Sequence, residues 1–166
     1  GQYSAGAELG HIMLIHDGEQ CSCGRKGCWE AYASATALIR QTKKAMEEHP
    51  DSYMNKIATL DNVSGRTAFI AAKNGDAAGQ AVVDKYIQYI SEGLVDIINI
   101  FRPEILIIGG GICNEGEYLL KPIREFLRKH SYGGSRHPEQ KLAVAALGND
   151  AGIIGAAFLG KKANEK

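Results

Sequence analysis

Helix-period segments alternate with short apolar runs along this 166-residue chain, and that alternation predicts an α/β fold. Two stretches carry the prediction. Residues 76–100 place Val82, Val83, Tyr86, Ile87, Ile90, Leu94, Val95, Ile97 and Ile98 over a face wide enough for a buried helix. Residues 104–108, Glu-Ile-Leu-Ile-Ile, form a continuous apolar run that ends in three glycines. A strand covered on both faces of a parallel sheet reads in this way.

The remaining elements follow in order. Residues 1–9 alternate small and polar side chains and read as a loop. This opening, with neither cap nor strand, reads as a chain whose upstream part is missing. Ile12–Ile15 is a short apolar run, expected as a strand, and Asp17-Gly18 signals a turn. Residues 29–48 read as one helix, with Leu38, Thr42, Ala45 and Met46 inward and Lys43, Lys44, Glu47 and Glu48 in water. Pro50 disfavours helix at His49 and sets its end. Residues 51–63 form an irregular link, and a short helix over 64–73 closes at Asn74-Gly75. Asp76 caps the long helix, and Pro103 stops it. An amphipathic helix is expected over 115–130, a polar loop over 132–139 and a second inner strand over 142–147. A helix of small residues covers 151–159, where Gly152 and Gly155 suit close packing. No internal repeat is visible.

Totals exclude several classes. The length suits one α/β domain over 1–166. Lys+Arg and Asp+Glu stand at 19 each, without a basic patch, so this segment is not expected to bind nucleic acid. No apolar run approaches the roughly 20 residues that span a bilayer, so no membrane partner is expected. No secretory leader opens the chain, and the cysteines look metal-bound rather than paired. Both suit a cytoplasmic, reducing location.

Three of the four cysteines fall within eight residues, in the spacing His11-x9-Cys21-x-Cys23-x4-Cys28, with Gly24 and Gly27 in the tight part. Zinc takes four tetrahedral ligands from thiolates and imidazoles, and this loop supplies that set. A disulfide would leave an odd thiol in the cluster, and Cys21 and Cys23 are awkward neighbours to bridge. His11 has a second ring nitrogen, free for a ligand or for a backbone carbonyl. Glu8 and Glu30 flank the motif. Two converging carboxylates would suit a polyol, whose hydroxyls they accept. Glu30 at a helix start also answers the macrodipole.

Gly109-Gly110-Gly111 lets backbone approach a nucleotide closely, yet matches neither the dinucleotide fingerprint nor the P-loop. A tight strand-to-helix turn explains it as well. Cys113 reads as a small buried residue, and His16, His49, His130 and His137 lack metal spacing.

Taken together, Ala7-Glu8-Leu9-Gly10-His11, the run from Cys21 to Glu30, the run from Pro103 to Ile112 and the run from Leu147 to Ala157 resemble the ROK family of bacterial sugar kinases and sugar-responsive repressors. The resemblance covers nearly the whole chain. It implies the C-terminal domain of an actin-like, RNase H-like ATPase fold, truncated at its N-terminal edge. It implies sugar contacts from Glu8, His11 and Glu30, nucleotide contacts from Gly109, Gly110 and Gly111, and structural zinc on His11, Cys21, Cys23 and Cys28. A hexose and ATP with Mg²⁺ would be the substrates, and a homodimer or homotetramer the assembly. The family's base, an Asp that deprotonates the sugar's 6-hydroxyl, would lie upstream, so no catalytic residue is expected here and the segment alone should be inactive. Within the family a glucokinase is the leading reading. A repressor, or a kinase for fructose, allose, mannose or N-acetylmannosamine, is the alternative.

Overall fold

The computed structural model describes residues 2–163. The helices are α1 (Glu30–Ala33), α2 (Ala35–Glu48), α3 (Met54–Ile57), α4 (Thr67–Lys73), α5 (Ala77–Phe101), α6 (Glu117–His130) and α7 (Ala151–Ala163), and the strands β1 (Ile105–Ile108) and β2 (Lys141–Val144). Helix α5 is the axis: its 25 residues run for roughly 37 Å at 1.5 Å per residue. Helices α1, α2, α4 and α6 pack around it. The core joins Val83, Tyr86, Ile90 and Ile98 of α5 to Leu38, Met54, Phe69, Leu119 and Ile123.

Both ends of α5 are fixed as the sequence predicts. The Asp76 carboxylate accepts from the Gly79 N–H at 2.7 Å. It also accepts from the Ser52 hydroxyl at 2.8 Å and the Tyr53 N–H at 3.1 Å, so one side chain ties the helix start to the preceding link. Burial raises its pKa, but these donors outweigh burial and hold the carboxyl below its ordinary value. The resulting stability is present above the unfolded-state pKa, near 4, and is lost as pH falls through the lower folded-state value. Asp76→Asn is expected to cost about 2 kcal/mol at pH 7. In urea titrations that deficit should shrink below about pH 4; a deficit constant from pH 7 to pH 3 would contradict the charged-cap account.

Four expectations need correction. The predicted helix over 29–48 breaks at Ser34 (φ −77°, ψ 163°), whose hydroxyl accepts from the Ala37 N–H and starts α2 afresh. Carbonyls freed by the break are recovered by side chains of the next turn: Arg40 donates to Ala31 O and Gln41 to Tyr32 O. The expected strand at Ile12–Ile15 is a single antiparallel bridge, Met13 to Cys28. Gly27 O accepts from both Leu14 and Ile15 N–H, which consumes the acceptor a regular ladder would space out. Among the described residues Gly152 and Gly155 make no close packing, since a Cβ at either would meet nothing within 4 Å. Strand β1 is not covered on both faces. Leu106 and Ile108 pack on the helical core, while Ile105 and Ile107 are exposed.

Strands β1 and β2 are parallel, with Ile105 opposite Lys141 and Ile108 opposite Val144. Helix α6 forms the crossover between them. No helix among the described residues is long and apolar enough to cross a membrane.

Candidate metal centre and glycine cleft

The metal loop is shaped by two pinches. Cys21 N–H bonds to Arg25 O, and Gly24, at φ +89°, turns the chain between them. Gly27, at φ +78°, packs so closely on the Ile15 carbonyl that a Cβ would overlap its oxygen. Glycine is required there on both counts. The Trp29 N–H then bonds to Ile12 O, which sets Cys28 opposite Met13 and fixes its neighbour Glu30 at the start of α1.

His11 reaches this loop from a short 3-10 turn over Leu9–His11, where its N–H bonds to Glu8 O at 3.0 Å. Its Nδ1 lies 3.6 Å from Cys21 Sγ, and Cys23 Sγ lies 3.6 Å from Cys28 Sγ. All four donor atoms lie within 4.8 Å of one another. A tetrahedron with Zn–S of about 2.3 Å and Zn–N of about 2.0 Å has edges of about 3.5–3.8 Å, so the two 3.6 Å separations have the size zinc requires. The donor set therefore fits the ion. No other group of three or more His, Cys, Asp or Glu among the described residues could hold a metal.

The thiols differ. The Cys23 backbone N–H stabilises the Cys21 thiolate against burial and, with the neighbouring thiols and His11, lowers its pKa to about 6. Burial, then the adjacent cysteines, push Cys28 up to about 11. The two thiols are thus shifted in opposite directions, Cys21 towards the thiolate and Cys28 towards the thiol.

The second face of His11 carries the more informative contact. Nε2 lies 3.9 Å from Glu30 Oε2, and Glu30 Oε1 accepts from the Ser22 hydroxyl at 3.4 Å. Glu30 is exposed, with no partner that would consume it as a helix cap. Glu8 is exposed on the turn that carries His11, but no hydrogen bond joins its carboxylate to this group. So the structure brings together the four ligand candidates and Glu30, and leaves Glu8 beside them.

Gly109, Gly110 and Gly111 sit at the C-terminal end of β1. With Cys113, Asn114, Val144, Ala145, Ala146 and Gly148 they line a separate open cleft. Gly110 has φ +92° and ψ 170°, a conformation essentially confined to glycine. A Cβ at Gly110 or Gly111 would meet nothing within 4 Å, so the bare backbone faces open space rather than a packed neighbour. Clefts at the carboxyl ends of parallel strands are where α/β sheets take ligands.

Two supports were not visible as sequence motifs. The Trp29 indole N–H donates to Tyr89 O at 2.8 Å, and the ring lies on Gly93 of α5. The Tyr32 hydroxyl accepts from Glu19 N–H at 2.6 Å, and its ring packs 4.8 Å from that of Tyr89. Both anchor the metal loop to the long helix. Their only signal in the sequence is that aromatics follow the last cysteine closely.

An actin-like ATPase α/β fold carrying a His/Cys3 loop and, separately, a glycine-lined cleft defines the class of the sugar kinases and their relatives. The chain belongs to the ROK family, whose profile matches residues 1–163. It is 35% identical over 166 residues to the glucokinase of Streptomyces coelicolor, covering 98% of this chain and 52% of that protein. The crystal structure of a ROK family glucokinase from Streptomyces griseus, in complex with glucose and AMPPNP, superposes with a TM-score of 0.83 at 36% identity, over 93% of this chain and 51% of that one. The xylose repressor of Caldicellulosiruptor bescii is 28% identical over 148 residues, 89% of this chain and 37% of the repressor. The chain thus spans about half the length of the glucokinases it matches.

Proposed function

We propose that this chain is the C-terminal, sugar- and nucleotide-binding part of an ATP-dependent glucokinase that phosphorylates the 6-hydroxyl of glucose. The observation that carries the reading is the two-faced histidine: Nδ1 of His11 belongs to the cysteine cluster, and Nε2 faces Glu30 in the open. The glucokinase relatives, more alike than the repressors, support the choice within the family.

On this reading His11, Cys21, Cys23 and Cys28 hold a structural zinc. Four protein donors leave no position for substrate, so the ion braces the loop. With Nδ1 committed to the cluster, Nε2 carries the ring proton and donates. Glu30 beside it accepts. A donor and an acceptor side by side grip one sugar hydroxyl or two adjacent ones, and Glu8 on the neighbouring turn adds a second acceptor. The backbone at Gly109, Gly110 and Gly111 lies along ATP, with Mg²⁺ carried by the nucleotide. Phosphoryl transfer is largely positioning and charge stabilisation. The base that takes the 6-hydroxyl proton is assigned to the half of the relatives' length that this chain does not span. For the whole protein we also expect a cytoplasmic homodimer or homotetramer.

The repressors among its relatives support one second reading, a sugar-responsive regulator with the same sugar wall. A kinase for fructose, allose, mannose or N-acetylmannosamine is a variant of the first. A coupled ATP assay of the full-length protein over these sugars separates them. Turnover fastest with glucose is expected, and no turnover in the isolated 166-residue chain. Sugar binding without turnover in the full-length protein would select the regulator; turnover by the isolated chain would refute the assignment of the base.

A further inference from the structure

Glu30 is exposed, and an exposed glutamate ordinarily keeps its rotamer freedom, so its place beside His11 needs a cause. Three neighbours supply one. The Ser22 hydroxyl donates to Oε1 at 3.4 Å. His11 Nε2 lies 3.9 Å from Oε2. Gly10 bounds the third side: a Cβ there would lie 3.4 Å from both Cβ and Oε2 of Glu30, so even the smallest side chain would fill the remaining space.

The 3.9 Å separation exceeds hydrogen-bond range, so donor and acceptor are not spent on each other. One hydroxyl oxygen can lie about 2.8 Å from both, accepting from Nε2 and donating to Oε2. A carboxylate that turned towards the ring would close this gap and take the Nε2 proton's bond for itself. One that turned away would leave Nε2 without its acceptor neighbour. A bond to the other oxygen, Oε1, opposes both movements. Ser22 can make that bond from a fixed place, because its backbone sits inside a pinned turn. On one side Cys21 N–H bonds to Arg25 O, and Cys21 O accepts from Gly24 N–H across it. The hydroxyl's other neighbour, Cys21 Sγ, is 3.9 Å away; the carboxylate is the nearer acceptor and, being ionised, the stronger.

We propose that Ser22 is a positioning residue of the sugar site: its hydroxyl occupies Oε1 of Glu30 and so presents Oε2, at a fixed distance from His11 Nε2, to a sugar hydroxyl. This role rests on the sugar-site reading of His11 and Glu30, and extends it to a residue that is neither a candidate metal ligand nor a sugar contact. It also links the two functions of the loop, since the residue that holds Glu30 stands between two of the candidate ligands, Cys21 and Cys23.

The test is titration and steady-state kinetics of the full-length protein with the hexose it binds best, with zinc content measured on every variant. Ser22→Ala is expected to weaken sugar affinity and raise the sugar KM about fivefold, less than a buried hydrogen bond to a charge is worth because this one is long and exposed. The kcat should change by less than about twofold, the signature of lost binding rather than lost transition-state contact. Zinc content should stay at the parent's level. Ser22→Thr keeps the hydroxyl and should restore most of the affinity, which a packing role would not allow. In a Glu30→Ala background Ser22→Ala should cause no further loss, since the hydroxyl then has nothing to position. An unchanged sugar affinity in Ser22→Ala would overturn the proposal and leave the sugar-kinase reading standing. So would a loss that accompanies zinc depletion, which would assign the hydroxyl to the Cys21 thiolate instead. A parent protein that binds no hexose would remove the reading itself, and this role with it.

Discussion

On the proposed zinc-braced sugar site, replacing Cys23 by serine is expected to take the protein from one tightly held zinc per chain to none, and to lower stability and sugar affinity together. Cys23 is the informative ligand because it is exposed. Cys28 is fully buried, so a change there would mix lost packing with lost metal. A hydroxyl at position 23 removes a thiolate and almost nothing else. Weakening a partner behind a metal ligand already costs about 10–100-fold in affinity, and removing a ligand should exceed that. At free zinc a thousandfold above its dissociation constant, the ion stabilises the fold by about 4 kcal/mol, all of which the variant forfeits. The sugar effect follows from His11, since its Nδ1 would lose the centre that orients the ring and Nε2 would no longer be held towards Glu30. Elemental analysis, thermal melting and sugar titration of the full-length protein read the three consequences. A metal-free variant that melts with the parent and binds sugar equally would sink the bracing role.

How much of this was legible depends on the distance over which each feature is specified. The four candidate donors lie within one short stretch, so their spacing could be read directly, and the structure brings them within 4.8 Å of one another. Helix α5 was legible because cap, apolar period and proline stop all lie along it. The Ile12–Ile15 run could not show that Gly27 O would take two donors and cut the ladder to one bridge. The apolar run of β1 could not show which face would be covered, because coverage depends on what packs above it. Ile107 is as apolar as Ile108 but is 63% exposed. The break at Ser34 was locally encoded, by a serine able to cap α2, but an uninterrupted apolar period across it pointed to one helix.

Gly93 is the position whose importance the sequence hides most completely, and Gly93→Val is expected to destabilise the protein by about 4 kcal/mol. In a helix interior glycine ordinarily gives way to larger residues with a gain, because it has the greatest backbone entropy to lose. Here a Cβ would overlap the Trp29 indole at Cε2, Cδ2 and Nε1. Neither partner can yield cheaply. The indole N–H is committed to Tyr89 O, one turn earlier on α5, and the residues on either side of Trp29 are the ligand Cys28 and Glu30. Expelling the ring therefore exposes a large aromatic surface, leaves the Tyr89 carbonyl short of a donor and tilts the metal loop off the helix that supports it. The cause can be isolated by a double-mutant cycle with Trp29→Ala. If the clash is responsible, Gly93→Val should cost less than about 1 kcal/mol once the indole is gone, and urea unfolding of the four proteins measures that coupling directly. Additive losses would mean that valine at 93 disturbs α5 itself. The zinc content of the single variant adds a second reading, since a loop that loses its footing on α5 should hold the ion more weakly while every one of its ligands is still present.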